Sequence, residues 1–431
     1  MSTPLSRRRF LQQSLAMGAG GLALGSFPAI SRSANEKLHV GIIGTAGQAQ
    51  YNWSSMLAAG IEIVAICDVD QSRMGPIKQA APKAAFFEDF RKLLDQPGID
   101  AVVVSTPDHT HAVATIAALN SGRHVYCEKP LTHNVFEARL VAETAKKTGK
   151  TTQMGTQIHA GNNYRRVVEL VQSGAIGDVS DVHVWCSKSW GGGDRPKDKP
   201  PVPKGLNYDL WLGPAPERPY NPAYIPFSWR GWWDFGGGTL ADMACHHMDL
   251  PFWALKLRHP SKITADGPKA HAETAAKELT VTYEYPAREK MPALTLTWYD
   301  GGRRPKILTE MNLPKWGDGS LFIGTKGMLL ATYDSYKLLP EKDFEGFTPP
   351  KQTIANSIGH HREFVEACKT GGPTTCNFDY SGSLTEAVLL GNVAYRVGKP
   401  IEWDAVNLKA KNLPEADQFI HRDYRAGWKL G

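Results

Sequence analysis

The sequence predicts an α/β domain with a parallel, doubly wound sheet, followed by an α+β domain rich in strands. The length of 431 residues exceeds what one small core needs and suits two domains. Aliphatic runs alternate with helical patterns up to about residue 155, which indicates parallel strands with helices on both faces. Beyond Val179 short strand patterns predominate, so we expect a second sheet.

In the first domain, predicted as residues 35–155, each strand pattern is short and almost wholly aliphatic. Such strands are typical of a sheet that is covered on both faces. We expect strands at 38–43, 61–66, 101–105 and 124–127. We expect helices up to 57 and at 89–94, 109–121 and 134–148, the last closed by Gly149. Ligands of such sheets bind beyond the carboxyl ends of the strands.

A glycine-rich turn follows the first predicted strand. The dinucleotide fingerprint G-x-G-x-x-G/A aligns with Gly44, Ala46 and Ala49, so alanine replaces the second glycine. Asp68 ends the second strand, where an acid can bind ribose hydroxyls and repel a 2′-phosphate. The two features together predict a dinucleotide site that prefers NAD to NADP. The alternative is a glycine turn and a surface aspartate without a ligand.

Glu128, Lys129 and Pro130 follow the predicted strand at 124–127. A lysine beside an acid at the carboxyl end of a strand can be held in place and tuned in its pKa. An exposed charge pair in a loop is the other interpretation of these residues alone.

Asp242 and His246 are four residues apart on a predicted helix, so they share one face, with Asp249 close to it. A histidine with a carboxylate neighbour is a plausible proton-transfer pair. A metal site is disfavoured because one histidine alone accompanies the acids on that face. A structural, buried histidine is a further alternative.

Together with Thr106-Pro107 and His111, these residues resemble the Gfo/Idh/MocA oxidoreductase family. The resemblance runs from about Leu38 to beyond Gly398. It implies a Rossmann domain followed by an open, mostly antiparallel sheet, in residues 156–400, with a tail over 401–431. It also implies Lys129, Asp242 and His246 as catalytic candidates. Ala46 and Ala244 depart from the family pattern.

The resemblance further implies two sets of binding residues. The expected NAD contacts are Gly44, Thr45, Ala46, Gln48, Asp68, Thr106, Pro107, His111, Glu128, Lys129 and Gln157. The expected substrate contacts are Arg165, Trp229, Arg230 and His247, where flat aromatic rings suit the faces of sugars. No metal is expected. An exposed sheet face in the second domain favours a homodimer or homotetramer.

The first 34 residues have the pattern of a targeting segment. Arginines at 7, 8 and 9 precede Phe10 and a weakly apolar run, which resembles a twin-arginine export signal. We therefore expect a periplasmic or other extracytoplasmic location, the alternatives being a basic tail or a retained anchor. The net charge of +6 becomes +2 without this segment, so nucleic acid is not an expected partner. No run of apolar residues is long enough to predict a membrane span in the mature protein.

The six cysteines form no C-x-x-C pair and are expected to be buried thiols, although an oxidising compartment permits disulfides. The sequence thus predicts an oxidoreductase that transfers hydride between a sugar or glycoside hydroxyl carbon and tightly bound NAD. The alternatives are an NAD-dependent glycoside hydrolase that oxidises its substrate transiently and a sugar-binding protein without catalysis.

Overall fold

The computed structural model describes residues 37–430, and the predicted export signal lies outside this range. Within it, no helix combines the length and apolar character that crossing a bilayer requires. The six cysteines are free thiols, five of them buried and Cys368 partly exposed.

Six parallel strands form the first sheet. They are β1 (His39–Ile43), β2 (Glu62–Cys67), β3 (Ala85–Phe87), β4 (Ala101–Val104), β5 (His124–Glu128) and β6 (Thr152–Gly155). Their order is β3-β2-β1-β4-β5-β6, the arrangement of a dinucleotide-binding sheet. The predicted parallel sheet is confirmed, with β3 and β6 added at its edges. The order reverses between β1 and β4, which opens a crevice there.

Helices cover both faces of this sheet. They are α1 (Gln48–Ala58), α2 (Gly75–Ala80), α3 (Phe90–Asp95), α4 (Asp108–Asn120) and α5 (Val135–Thr148). Asn134 caps α5 in a reciprocal capping box with Glu137, and Gly149 ends the helix in the left-handed conformation. These local signals explain why the predicted bounds of α5 agree with the observed ones.

A nine-stranded sheet dominates the rest of the chain. Its strands are β7 (Val179–Trp185), β8 (Lys262–Asp266), β9 (Thr280–Tyr285), β10 (Leu294–Tyr299), β11 (Gly319–Gly324), β12 (Gly327–Ala331), β13 (Tyr336–Leu339), β14 (Ile401–Asp404) and β15 (Lys409–Ala410). The order is β13-β12-β11-β7-β10-β9-β8-β14-β15, and every pair except β7–β10 is antiparallel. The mostly antiparallel second sheet is confirmed. The expectation of an irregular tail was wrong for 401–410, because β14 extends the sheet beside β8.

Eight α-helices follow residue 156 in the described part of the chain. They are α6 (Asn162–Gln172), α7 (Tyr208–Leu212), α8 (Gly238–His247), α9 (Asp249–Ala254), α10 (Ile307–Glu310), α11 (His360–Thr370), α12 (Phe378–Val397) and α13 (Asp417–Ile420). The longest, α12, begins directly after Asn377, whose side chain caps it. It is buried along most of its length against α5 and α8, so it carries contacts between the two sheets.

A buried carboxyl at the end of β10 predicts a pH-dependent stability. Burial raises the pKa of Asp300 to about 7, although Trp298 donates a hydrogen bond to it at 2.9 Å. Its stabilising effect is therefore complete below the ordinary pKa, near 4, and is lost as the pH rises to about 7.

Asp300→Asn should remove this part of the pH dependence and stabilise the protein at pH 8 by about 4 kcal/mol. Urea unfolding of both proteins across this pH range measures the effect. Asp334→Asn, at an exposed position, is the matched control. Parallel stability curves for wild type and Asp300→Asn would show that Asp300 is ionised in the folded protein at neutral pH.

Candidate active site

A cleft of about 510 Å³ lies where the strand order reverses, beyond the carboxyl ends of β1 and β4. Gly44 begins the turn after β1 with φ of +85°. A Cβ at this position would lie 2.5 Å from the carbonyl oxygen of Ser105, so the two turns approach as closely as they do because residue 44 is glycine. Ala46 also lines the cleft, and Gly47 precedes α1 with φ of +63°.

Asp68, directly after β2, is hydrogen-bonded to the same turn. Its Oδ2 accepts hydrogen bonds from the Thr45 amide at 2.9 Å and the Thr45 hydroxyl at 2.6 Å, while Oδ1 accepts one from the Asp70 amide at 3.0 Å. Burial raises the pKa of Asp68, and these hydrogen bonds oppose the rise. The positive charge of Arg73 also opposes the rise in the pKa of Asp68, so a cation stands near this carboxylate.

Asp68→Ser should shift the relative affinity from NAD towards NADP by about 10-fold or more. The substitution removes the charge that repels a 2′-phosphate and leaves Arg73, which also lines the cleft, to attract it. Dissociation constants of both cofactors, measured by calorimetry, test this. In the double variant Asp68→Ser/Arg73→Ala the gain for NADP should vanish. An unchanged cofactor preference in Asp68→Ser would contradict the role of Asp68.

Glu128, at the end of β5, is a buried carboxylate in the lining of the cleft. Its Oε1 accepts hydrogen bonds from the side-chain amides of Asn52 at 2.8 Å and Gln157 at 2.9 Å. Its Oε2 accepts a hydrogen bond from the backbone amide of Lys129 at 3.2 Å. The carboxylate thus links α1, β5 and the turn at Gln157, and it fixes the backbone from which Lys129 projects.

The side chain of Lys129 reaches across to α8. Its Nζ donates hydrogen bonds to Oδ1 of Asp242 at 2.7 Å and to the carbonyl oxygen of the same residue at 2.9 Å. Arg230 Nε donates to the same Oδ1 at 3.1 Å, and Trp190 Nε1 donates to Oδ2 at 2.9 Å. Two cations and an indole therefore converge on one buried carboxylate.

The charges in this cluster determine the protonation of its members. Burial lowers the pKa of Lys129, but the charges of Asp242 and Glu128 outweigh burial and leave the pKa above its ordinary value. Burial raises the pKa of Asp242, but Lys129 and then Arg230 bring it well below the usual range. At neutral pH the pair is therefore an ammonium and a carboxylate.

His246 lies one turn after Asp242 on α8 and lines the cleft together with Lys129. Burial lowers its pKa well below the ordinary value, and the charge of Lys129 lowers it further. The imidazole is therefore neutral at pH 7. Its Nδ1 is buried and has no hydrogen-bond partner within the part of the chain that the structure describes.

The outer wall of the cleft is aromatic. The Arg230 guanidinium lies over the rings of Trp229 and Phe227, 4.2 Å and 4.3 Å from their centroids. This packing fixes the guanidinium beside Asp242 and gives the cleft a flat apolar surface with a polar edge. Such surfaces suit the faces of sugar rings.

Most residues that the sequence predicted for the site line this cleft, and Asp242 contacts it through Lys129. The predicted residues that line it are Gly44, Thr45, Ala46, Gln48, Asp68, Thr106, Pro107, Glu128, Lys129, Gln157, Trp229, Arg230 and His246. Sequence analysis missed Trp190, which lies in a loop of low regularity, and Asp108, a buried carboxyl at the start of α4. The position of Asp108 directly after Pro107 was the available signal.

The structure places three of the predicted contact residues away from the lining of this cleft. His111 is fully buried, and its ring nitrogens contact the backbone oxygens of Pro130 at 2.7 Å and Thr106 at 2.8 Å. His111 therefore lies between the two turns and is not among the residues that line the cleft.

The other two residues, Arg165 and His247, belong to the predicted substrate contacts. Arg165 is buried on α6, where it donates to the carbonyl oxygen of Ala355 at 2.9 Å. The Nε2 of His247 lies 3.0 Å from the Tyr333 hydroxyl, and the two rings stack. Neither residue lines the cleft. His247 directly follows His246 on α8, and helical periodicity turns it away from the face that carries His246.

Two family models match the chain. The model described as "Oxidoreductase family, NAD-binding Rossmann fold" matches residues 38–156, and the one described as "Oxidoreductase family, C-terminal alpha/beta domain" matches residues 161–291. The chain belongs to the Gfo/Idh/MocA oxidoreductase family. The NAD site of this family fits the cleft, since Gly44 leaves room for close backbone approach and Asp68 stands where a ribose binds.

Curated relatives are similar over about a third of this chain. Inositol 2-dehydrogenase of Salmonella typhimurium is 29% identical over 143 residues, which are 33% of this chain and 43% of that enzyme. Alpha-N-acetylgalactosaminidase of Shewanella oneidensis is 32% identical over 155 residues, 33% of this chain and 34% of that enzyme. These matches span less than half the length of the relatives.

Solved structures share the fold over most of the chain. The WlbA dehydrogenase of Bordetella pertussis, in complex with NADH and UDP-GlcNAcA, is 17% identical with a TM-score of 0.61. The match covers 86% of this chain and 98% of that one. Levoglucosan dehydrogenase, in complex with NADH and levoglucosan, is 16% identical with a TM-score of 0.59, covering 85% and 99%. At these identities the likeness establishes the fold of the family.

Among residues 37–430 no group of three or more histidine, cysteine or acidic side chains is arranged to hold a metal ion.

Proposed function

We propose that this protein is an NAD-dependent oxidoreductase that acts on a CH–OH group of a carbohydrate. One observation carries the proposal: Lys129 and His246, 117 positions apart, line the same cleft as the glycine turn of the dinucleotide site. Their different protonation states give that cleft a hydrogen-bond donor and a proton acceptor. Proximity of such a pair to one substrate hydroxyl is what alcohol oxidation requires of the protein.

The protonation states divide the roles. The neutral imidazole of His246 accepts the proton of the substrate hydroxyl, and the ammonium of Lys129 donates a hydrogen bond to the same oxygen as negative charge develops there. The chemistry that NAD supplies when bound is acceptance of the hydride from the carbon bearing that oxygen, which leaves a carbonyl. Asp242 orients Lys129 and holds its charge.

The carbohydrate preference is supported by the wall of the cleft and by the relatives. Trp229 and Arg230 present a flat surface with a polar edge beside Lys129. Inositol 2-dehydrogenase and levoglucosan dehydrogenase are named for polyhydroxylated substrates. The particular sugar or glycoside is to be found by experiment.

A screen of purified protein tests the proposal. NAD reduction is followed by absorbance with a panel of cyclitols, free sugars and aryl glycosides. We expect reduction with at least one polyol, and its loss in His246→Ala. Release of phenol from an aryl glycoside without net NAD reduction would instead support the glycoside hydrolase alternative. Saturable sugar binding without either reaction in the NAD-loaded protein would indicate a binding protein.

We also propose that the protein is exported with NAD already bound. The arginines at 7 and 8 support the route, since twin-arginine export carries folded proteins. Free NAD is not expected outside the cytoplasm, so the cofactor must stay bound and be reoxidised in place by a second substrate. Changing both arginines to lysine should retain the protein in the cytoplasm. Periplasmic protein that releases no nicotinamide on denaturation would contradict the proposal.

A homodimer or homotetramer stays a prediction, which a native mass measurement tests.

A further inference from the structure

A second cavity, of about 320 Å³, lies among the start of α5, the end of α12, the glycines before α8 and the segment after α13. None of the residues that line it lines the cleft of the candidate active site. Several of its polar groups lack partners, and this sets the cavity apart from ordinary packing space.

Arg396 supplies an unpaired positive charge to this cavity. Its guanidinium lies between two aromatic rings, 4.8 Å from the centroid of Trp233 and 4.2 Å from that of Phe419. Burial lowers the pKa of Arg396 to about 10, so the group is charged at neutral pH. Within residues 37–430 it forms no ion pair within 4 Å, but the negative charge of Asp234 raises its pKa and so opposes the effect of burial.

Two residues that line the cavity carry further donors without a partner in the described part of the chain. Asn134 is 7% exposed, and its Nδ2 is buried without a hydrogen-bond partner in the described part of the chain. Arg422 binds Glu137 and the carbonyl oxygen of His109, but its Nη1 is likewise buried and unpaired. A buried donor without a partner is costly, so an acceptor that enters the cavity would be bound favourably.

Two of the acids that line the cavity, Asp234 and Glu273, are hydrogen-bonded to arginines, and the third, Asp423, is exposed. Asp234 Oδ2 accepts hydrogen bonds from Arg195 at 2.7 Å and Arg218 at 2.8 Å. Glu273 accepts one from Arg195, and Glu137 accepts one from Arg422 at 3.0 Å. Three guanidinium groups, those of Arg218, Arg396 and Arg422, line the cavity, and among these three Arg396 has no hydrogen-bonded acid within the described part of the chain.

We propose that this cavity binds a small oxyanion, a carboxylate or a phosphate group. Guanidinium and amide N–H groups match the oxygens of such anions, and bidentate contact with arginine is the strong form of this interaction. The start of α5 adds backbone N–H groups and the positive end of a 14-residue helix. The lining includes His133, four residues after Lys129, and Gly236 and Gly237, which directly precede α8.

Calorimetric titration with inorganic phosphate, and separately with succinate, tests the proposal. The protein is first saturated with NAD, so that the pyrophosphate position in the other cleft is filled. We expect saturable binding of at least one anion with a stoichiometry of one per chain. Arg396→Gln should weaken it by about 10-fold or more, the usual effect of losing a hydrogen bond to a charged group. Arg303→Gln, which removes a surface arginine paired with Asp266 and Glu278, should leave it unchanged.

Absence of saturable binding for both anions, or equal binding by wild type and Arg396→Gln, would overturn the proposal. Should Arg396→Gln fail to fold, as judged by its thermal transition, Arg396→Lys serves instead. It keeps the charge and loses the planar fork, so a weakening of about threefold or more is expected. An anion affinity of Arg396→Lys equal to that of wild type would also overturn the proposal.

Discussion

Replacing Lys129 by methionine should lower the rate of hydride transfer by about 100-fold or more and leave NAD binding within about threefold of wild type. Methionine keeps the length and much of the apolar stem of the side chain, so the principal loss is the ammonium group. That group donates to Asp242 at 2.7 Å and faces the cleft beside His246. Single-turnover reduction of NAD measures the rate, and fluorescence titration measures the affinity for NAD.

Lys147→Met is the matched control, because Lys147 is an exposed lysine on α5. It should turn over like wild type. Near-normal turnover in Lys129→Met would remove this residue from the chemistry. Loss of NAD binding with an otherwise folded protein would assign Lys129 to cofactor binding instead.

Replacing Asp242 by asparagine should have the second largest effect, on both stability and pH dependence. The carboxylate is 5% exposed and opposes the charges of Lys129 and Arg230. Removing one partner of such a buried pair costs about 3–5 kcal/mol. Since the folded pKa of Asp242 is depressed, wild type has this stabilisation above the ordinary pKa near 4 and loses it at lower pH. Urea unfolding at pH 7 measures the difference, with exposed Asp343→Asn as the control.

The same substitution should move the alkaline limb of the rate profile to lower pH. Burial favours the neutral amine of Lys129, and the charge of Asp242 is the chief opposing influence. Without that charge the ammonium loses its proton at lower pH, and a step that needs the ammonium fails sooner. An alkaline limb at the same pH in Asp242→Asn and wild type would show that Lys129 is not the group whose ionisation it reports.

Local signals were sufficient for the first sheet and for part of the site. Aliphatic runs predicted its four central strands, and the cap at Asn134 with Gly149 predicted α5 within one residue. The strand ends then predicted the cleft, because parallel strands present their carboxyl ends along one edge. Two residues that the family resemblance implied as substrate contacts, Arg165 and His247, lie in packing contacts away from this cleft, and a one-dimensional pattern does not describe such packing.

By itself, the sequence determined the alternation that makes the first sheet, the glycine turn with Asp68, and the position of Lys129 at the end of β5. Each of these depends on neighbours within a few residues or on strand polarity. The tertiary structure alone decided that Trp190 and Lys129 meet Asp242, across 52 and 113 positions of chain, and that His111 serves as a clamp. It also decided that Arg396 lies unpaired between two rings. Such contacts arise where elements distant in the chain pack together, and that packing depends on the shapes of whole surfaces, which no local pattern records.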